Sequence, residues 1–148
     1  MSLILWIIGI TKPAEGWNLQ EAYMLILGQT PRIVTASLIA YFAGAFLNSF
    51  TLAKMKILTK GRWLWTRTIG STILGEGLDT LLFCFIAFAG FYSNKLLFSI
   101  IISNYIFKVG LEIILTPVTY LVVNFLKRKE NEDYYDYKTN FNPFRLDI

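Results

Sequence analysis

Hydrophobic positions in this chain gather in long blocks separated by short polar or basic segments. Residues 33–53, IVTASLIAYFAGAFLNSFTLA, carry no formal charge, and residues 69–91, IGSTILGEGLDTLLFCFIAFAGF, carry two acids. A third block lies within 96–126. A helix needs about 20 predominantly apolar residues to cross about 30 Å of hydrocarbon, so the pattern predicts three transmembrane helices, at about 33–53, 69–91 and 98–122. Pro117 is expected to kink the third, whose surplus length can be absorbed by tilt or by emerging ends. The opening residues 2–11 are apolar but too short to span. Without a basic n-region or an A-x-A site they do not read as a signal peptide. They are expected to be the end of a helix whose beginning lies outside this chain, with an interfacial anchor as the alternative. The fold class expected is therefore an all-α integral membrane protein, a polytopic helical bundle. Residues 1–126 form its transmembrane domain and residues 127–148 a tail that turns abruptly polar and aromatic. That tail is either a disordered terminus or an ordered plug docked under the bundle.

Composition agrees and removes several alternatives. Of 148 residues, 55% are hydrophobic and only 16% charged, with a mean hydropathy of +0.50, which excludes disorder for most of the chain. The net charge of +4 belongs to membrane flanks, so no nucleic-acid partner is expected. With Cys84 as the single cysteine and no histidine, a disulfide within the chain, a Cys/His zinc cluster and His-based acid/base chemistry are all excluded. No cofactor is expected. Lys54, Lys56, Lys60, Arg62 and Arg67 lie between the first two spans, and Lys127, Arg128 and Lys129 follow the third. The opposite side has only Lys12, Arg32 and Lys95. The positive-inside rule then puts the C-terminus in the cytoplasm. Trp63 and Trp65 at one interface, and Phe91 and Tyr92 at the other, suit aromatic belts.

Small residues recur every four positions on the first span (Ala36, Ala40, Gly44, with Asn48 continuing the stripe) and on the second (Ser71, Gly75). Such stripes let helices approach closely in lipid. Ionisable residues at membrane depth are more informative, since each costs at least about 2.5–3.5 kcal/mol to insert and usually serves a function. Glu76 and Asp79 share one face of the second span; Lys108 and Glu112 share one face of the third, extended by Asn104 and Thr116. A structural reading makes these a buried ion-pair network, Lys108 with Glu112 and Arg32 or Arg67 with an acid. Buried pairs stabilise poorly compared with apolar residues, and three carboxylates to one lysine leave acid in surplus. The extra carboxylates are either protonated or paired to a hydrogen-donating solute. Asn48 likewise needs a partner for its amide. A carboxylate can accept two hydrogen bonds from the adjacent N–H groups of a guanine-like edge, and Tyr41, Phe83 or Tyr105 could offer a stacking face. The residues by themselves reach a permease for a small polar solute.

Several strings carry a resemblance. They are TPRIVTASLIAY at 30–41, LTKGRWLWTRTIGSTILGEGLDTLLFCFIAFAG at 58–90, YIFKVGLEIILTPVTY at 105–120 and DYYDYKTNFNPF at 133–144. The spacing R-x-x-G-S-T-x-x-G-x-x-x-D-T-x-x-F at 67–83 is the most specific. In these the chain resembles the queuosine-precursor transporters, small bacterial membrane proteins related to vitamin uptake transporters, over residues 31–144. The resemblance implies import of deazaguanine precursors across the cytoplasmic membrane for salvage into tRNA queuosine. It also implies a six-helix bundle, of which three spans and a stub are half to two thirds. Carried over position by position, the implied solute-binding residues are Arg32, Asn48, Arg67, Glu76, Asp79, Lys108 and Glu112, with Asp79 central. Lys108 and Glu112 would form a switchable pair. Competing expectations are an importer of another vitamin-like heterocycle and a fragment or subunit that assembles with missing helices or with a second copy. An intramembrane enzyme using Glu76 and Asp79 is disfavoured for want of a nucleophile or metal.

Overall fold

The structure is a computed structural model in which residues 1–131, 134–137 and 139–142 are described. Among the described residues five helices follow one another: α1 Ser2–Ile10, α2 Gln20–Leu27, α3 Thr30–Leu58, α4 Leu64–Phe88 and α5 Asn94–Glu130. Three helical stretches, Gln20–Leu58 (α2 and α3 together), Leu64–Phe88 and Asn94–Glu130, are long and apolar enough to cross a membrane. The all-α, polytopic class predicted from the hydrophobic blocks is what the chain adopts.

The helices outrun the apolar blocks that predict them. α3 starts three residues before position 33, with Pro31 in its first turn, where a missing N–H costs nothing. It continues five residues past position 53, so Lys54 and Lys56 are helical and not part of a connecting loop. Leaving the apolar core does not end a helix, because internal hydrogen bonds still satisfy its backbone. What ends α3 is a turn in which Lys60, Gly61 and Trp63 all adopt positive φ. That turn delivers the chain directly into α4 at Leu64, five residues before the predicted start. At its other end α4 stops at Phe88, three residues short of the prediction, where a tight connection through Gly90 (φ +87°) leads to Ser93. The Ser93 hydroxyl then caps α5 by accepting from the Leu96 N–H. α5 stays helical through Pro117. Its 37 residues give a length of about 55 Å, well beyond the hydrocarbon thickness.

α2 lies between the apolar opening residues and the predicted first span. Gln20 Nε2 donates to the Gly9 carbonyl (3.4 Å) and the Tyr23 hydroxyl donates to the Leu5 carbonyl (3.4 Å), joining α2 to α1. α1 also packs beside α3.

α4 is the central element, packed along α3 for most of its length and more sparsely against α5. The α3–α4 seam is the predicted stripe of small residues. Ala36, Ala40 and Gly44 are buried on α3, and Ser71, Gly75, Cys84 and Ala87 on α4. A Cβ on Gly44 would stand 2.7 Å from the Asp79 Cβ and 2.9 Å from the Gly75 carbonyl; one on Gly75 would stand 2.6 Å from the Asn48 Cβ. Only glycine permits this approach. Towards the Phe91 end, Cys84 packs with Leu97 and Ile101 of α5, flanked by Phe83, Phe88 and Ile100. Cys84 acts there as a small apolar filler, as its setting in the sequence suggests. Gly110 on α5 is the opposite case, since a Cβ there would meet nothing within 4 Å. The two kinds of glycine therefore separate in a test. Gly44→Val should destabilise the bundle by about 1–3 kcal/mol through overpacking, whereas Gly110→Ala should be neutral or stabilise by up to about 1 kcal/mol. Thermal unfolding of the two purified variants in one detergent checks both.

Candidate functional site

The site lies where α4 carries its two acids. Glu76 is the midpoint of α4's 25 residues, and Asp79 follows one turn later. Both reach towards α5, where Lys108 Nζ sits 2.5 Å from Asp79 Oδ2 and 2.8 Å from Glu76 Oε2. One ammonium thus bridges two carboxylates. The pairing differs from the predicted Lys108–Glu112 pair, because the α4 carboxylates lie straight across from Lys108 while Glu112 lies along its own helix. Glu112 lines the same cavity and forms no ion pair among the described residues.

The cavity measures about 610 Å3. Its α3 wall is Ser37, Tyr41, Gly44, Ala45 and Asn48; its floor is Thr72, Glu76 and Asp79; its α5 wall is Lys108, Leu111, Glu112 and Leu115. The Asn48 carboxamide oxygen is buried without a hydrogen-bond partner among the described residues, an acceptor that a small opening of the seam would expose. Three carboxylates to one ammonium give the space a negative balance. The flank between α3 and α5 is open, and the Lys108 side chain keeps 38% of its exposure. A smaller lobe of about 220 Å3, towards the Phe91 end, shares Ser37, Asp79 and Lys108 and adds Phe83 and Asn104. The acid surplus and the orphaned amide suit an uncharged or cationic molecule that presents several N–H donors.

Five of the seven predicted residues, Asn48, Glu76, Asp79, Lys108 and Glu112, line this one cavity. Arg32 is elsewhere. Its Nε donates to the Ile86 carbonyl (2.6 Å), its Nη2 to the Ala89 carbonyl (2.8 Å), and its guanidinium lies 4.9 Å over the Phe91 ring. It ties down carbonyls at the end of α4 and pairs with no acid among the described residues, a role that the sequence pattern does not reveal. Arg67 is 4% exposed near the start of α4 and does not line the cavity. Its Nε and Nη1 lack partners among the described residues, so it too pairs with no acid there. Of the three aromatic candidates, Tyr41 lines the main cavity and Phe83 the smaller lobe. Tyr105 donates its hydroxyl to the Ile73 carbonyl and borders an apolar cleft instead. Ser37 and Thr72 are lining residues that the sequence reading passes over. Their signal is spacing, since Ser37–Tyr41 and Thr72–Glu76 are each four apart on stripes already marked by Asn48 and Asp79. No cluster of metal-ligating residues occurs among the described residues.

Comparison with known proteins places this geometry in a family. The family model described as "Putative vitamin uptake transporter" matches residues 1–122. The protein named "Probable queuosine precursor transporter" in Bacillus subtilis (strain 168) is 30% identical over 120 residues, which cover 80% of this chain and 52% of that relative. The chain thus spans about half the length of the curated relative it matches. No solved structure matches it. The family match covers all three membrane-crossing helices up to Val122 and takes in every residue that lines the acid-rich cavity: the chain belongs to the vitamin uptake transporter family of multi-pass membrane proteins.

Proposed function

We propose that this chain imports queuosine precursors, flat deazaguanine bases, across the bacterial cytoplasmic membrane, and that it is not an enzyme. The observation that carries this reading is the cavity at mid-membrane with three carboxylates, one ammonium and an unpartnered carboxamide oxygen. Ionisable residues at that depth serve a solute path far more often than they serve stability. The relative's name suggests the solute class, and the cavity offers what an aminopyrimidine-type edge needs: carboxylate acceptors for adjacent N–H groups and the Tyr41 ring as a stacking face. Lys, Arg and Trp residues gather around the α3–α4 turn, and Lys127, Arg128 and Lys129 fill the last turn of α5, which argues for that end, and the C-terminus, being cytoplasmic.

The mechanism turns on competition. Without solute, Lys108 satisfies Glu76 and Asp79. An incoming base offers its own N–H donors to Asp79, with Glu76 and the Asn48 oxygen beside it, and displaces the ammonium. Glu112 lies one turn along α5 from Lys108, close enough to receive it. The switchable Lys108–Glu112 pair expected from the sequence is then the second of two states. Arg67, buried near the start of α4 with Nε and Nη1 unpartnered among the described residues, would meet the solute's carbonyl only after a rearrangement that opens the cavity to it. Because ionised groups at this depth are not left facing lipid, the open flank is covered in the working protein by further helices or by a second copy.

Two measurements test the reading. Asp79→Asn keeps one acceptor but loses the carboxylate, and should lower uptake at least about tenfold, the equivalent of about 1.4 kcal/mol. The assay is tRNA queuosine content in cells that neither make nor otherwise import the precursor, at membrane levels matched by immunoblot; normal queuosine there would refute a central role for Asp79. Lys108→Gln removes the competitor. It should bind the base at least as tightly as the parent chain by equilibrium dialysis, yet support less than about a tenth of parental uptake. Loss of binding in step with uptake would make Lys108 a solute contact instead.

A further inference from the structure

Buried polar side chains are not spread evenly through the bundle. Among the described residues they are Thr51, Arg67, Thr68, Ser71, Thr80 and Thr116, and all but Thr80 lie beyond the cavity towards the basic end. Contacts between the helices fix that level. A Cβ on Gly75 would meet Asn48 and one on Gly70 would meet Met55, so Thr51 of α3 stands opposite the part of α4 between those glycines. The Lys108 bridge to Glu76 and Asp79, and the Trp65 N–H donating to the Tyr120 hydroxyl (3.0 Å), bring Thr116 of α5 to the neighbouring turn of α4. The polar layer is about two turns deep.

Each helix gives this layer one threonine, and each threonine continues a face that lines the cavity. Thr51 follows Asn48 by three residues, Thr68 precedes Thr72 by four and Thr116 follows Glu112 by four, spacings that keep side chains on one helix face. The cavity ends short of all three. The Thr68 hydroxyl donates to the Trp65 carbonyl (3.1 Å), Ser71 to Thr68 (3.0 Å) and Thr116 to Glu112 (2.8 Å). These bonds stay within one helix, so the three hydroxyls do not tie the layer together, and each can turn to another acceptor.

Arg67 completes the layer as the one buried charged residue among those described. Its Nε and Nη1 have no partner there. Other cations of this end are placed differently. Lys56 donates to the Tyr134 carbonyl (2.5 Å) and lies 4.6 Å over the Tyr135 ring, while Lys54 lies 5.6 Å and 5.7 Å over the Phe50 and Phe141 rings. A buried guanidinium without a counter-charge repels cations and attracts acceptors. The cavity does the reverse, since three carboxylates against one ammonium draw cations in.

We infer that Thr51, Thr68, Thr116 and Arg67 form a donor-lined gate between the cavity and the basic end, which passes an uncharged solute bearing a carbonyl-type acceptor and turns back the cations that the cavity attracts. Passage of the solute rests on the importer reading; the barrier to cations does not. The two polar sites are complementary. A solute with a donor edge and an acceptor edge is held by the first in the carboxylate cavity and received by the second at Arg67.

The test uses the full chain in sealed proteoliposomes, with sodium ions as the probe. Under an inside-negative diffusion potential the parent should admit sodium no faster than protein-free vesicles, and Arg67→Gln should raise entry at least about tenfold. Arg67→Lys keeps the charge and should stay within about twofold of the parent. Arg67→Met repeats the measurement where the glutamine variant is not recovered folded. Labelled sucrose, followed in parallel, should enter with none of them. Sodium entry through the parent, or unchanged entry through Arg67→Gln, overturns the barrier. So does entry of sucrose alongside sodium, which would mean that the bundle has loosened. Thr68→Val with Thr116→Val keeps shape and charge. It should leave sodium excluded and lower tRNA queuosine in the uptake assay at least about fivefold; normal queuosine overturns passage through the layer. A parent chain that excludes sodium but takes up no deazaguanine refutes the importer reading and leaves the barrier standing.

Discussion

Two glycines that face each other in the middle of the membrane set the distance on which the structure depends. Gly44 and Gly75 bring the backbones of α3 and α4 so close that neither position has room for a methyl group. The atoms that would meet such a methyl are those of Asp79 and Asn48. The packing seam and the polar site are thus one feature: the approach that gives van der Waals contact between helices in lipid also fixes where the carboxylate and the carboxamide project. Widening the seam by one side chain would move the floor of the cavity relative to its α3 wall.

Electrostatics then decides how the third helix joins. α5 touches α4 through a small apolar cluster around Cys84, Leu97 and Ile101 and through the Lys108 bridge. An ammonium between two carboxylates resolves most of the cost of placing charge at this depth, but it leaves Glu112 without an ion-pair partner among the described residues. A bundle selected only for stability has no use for that remainder. On the proposed importer reading it has one, since surplus acceptors would attract hydrogen-bond donors while the resident ammonium would keep the cavity from being a trap.

The hydrophobic blocks announced the three long helices, and the four-residue repeats of Ala36, Ala40, Gly44 and Ser71, Gly75 announced which faces would meet. Charge at membrane depth picked out five of the cavity residues, since lipid tolerates ionisable groups only where they turn inward. What stayed hidden was partner choice. Spacing along one helix suggests Lys108 with Glu112, whereas the rotation of α4 against α5 pairs Lys108 with Asp79 and Glu76. Arg32 comes from the resemblance, and its partners here are main-chain carbonyls, which no side-chain pattern reports. The helices outrun the apolar blocks because the turn at Lys60–Trp63, and not the edge of the block, stops α3. The tail showed only a change of composition; of its pattern at 133–144, positions 133, 138, 143 and 144 lie outside the described residues, and the rest binds through ring faces and backbone oxygens.

The grip of Arg32 on the last carbonyls of α4 has a mechanical side. At the Phe91 end, α3 is fastened to α4 by two charge-assisted hydrogen bonds, and α5 is fastened to α4 by the five-residue turn and the cluster around Cys84. At the opposite end, α5 runs more than a dozen residues beyond Glu112 with mostly exposed side chains. Yet the Lys60–Trp63 turn joins α3 to α4 there, and the Trp65 N–H donates to the Tyr120 hydroxyl of α5 (3.0 Å). The three helices are therefore tied near both ends, and any bowing is greatest between the ties, at the level of the Lys108 bridge.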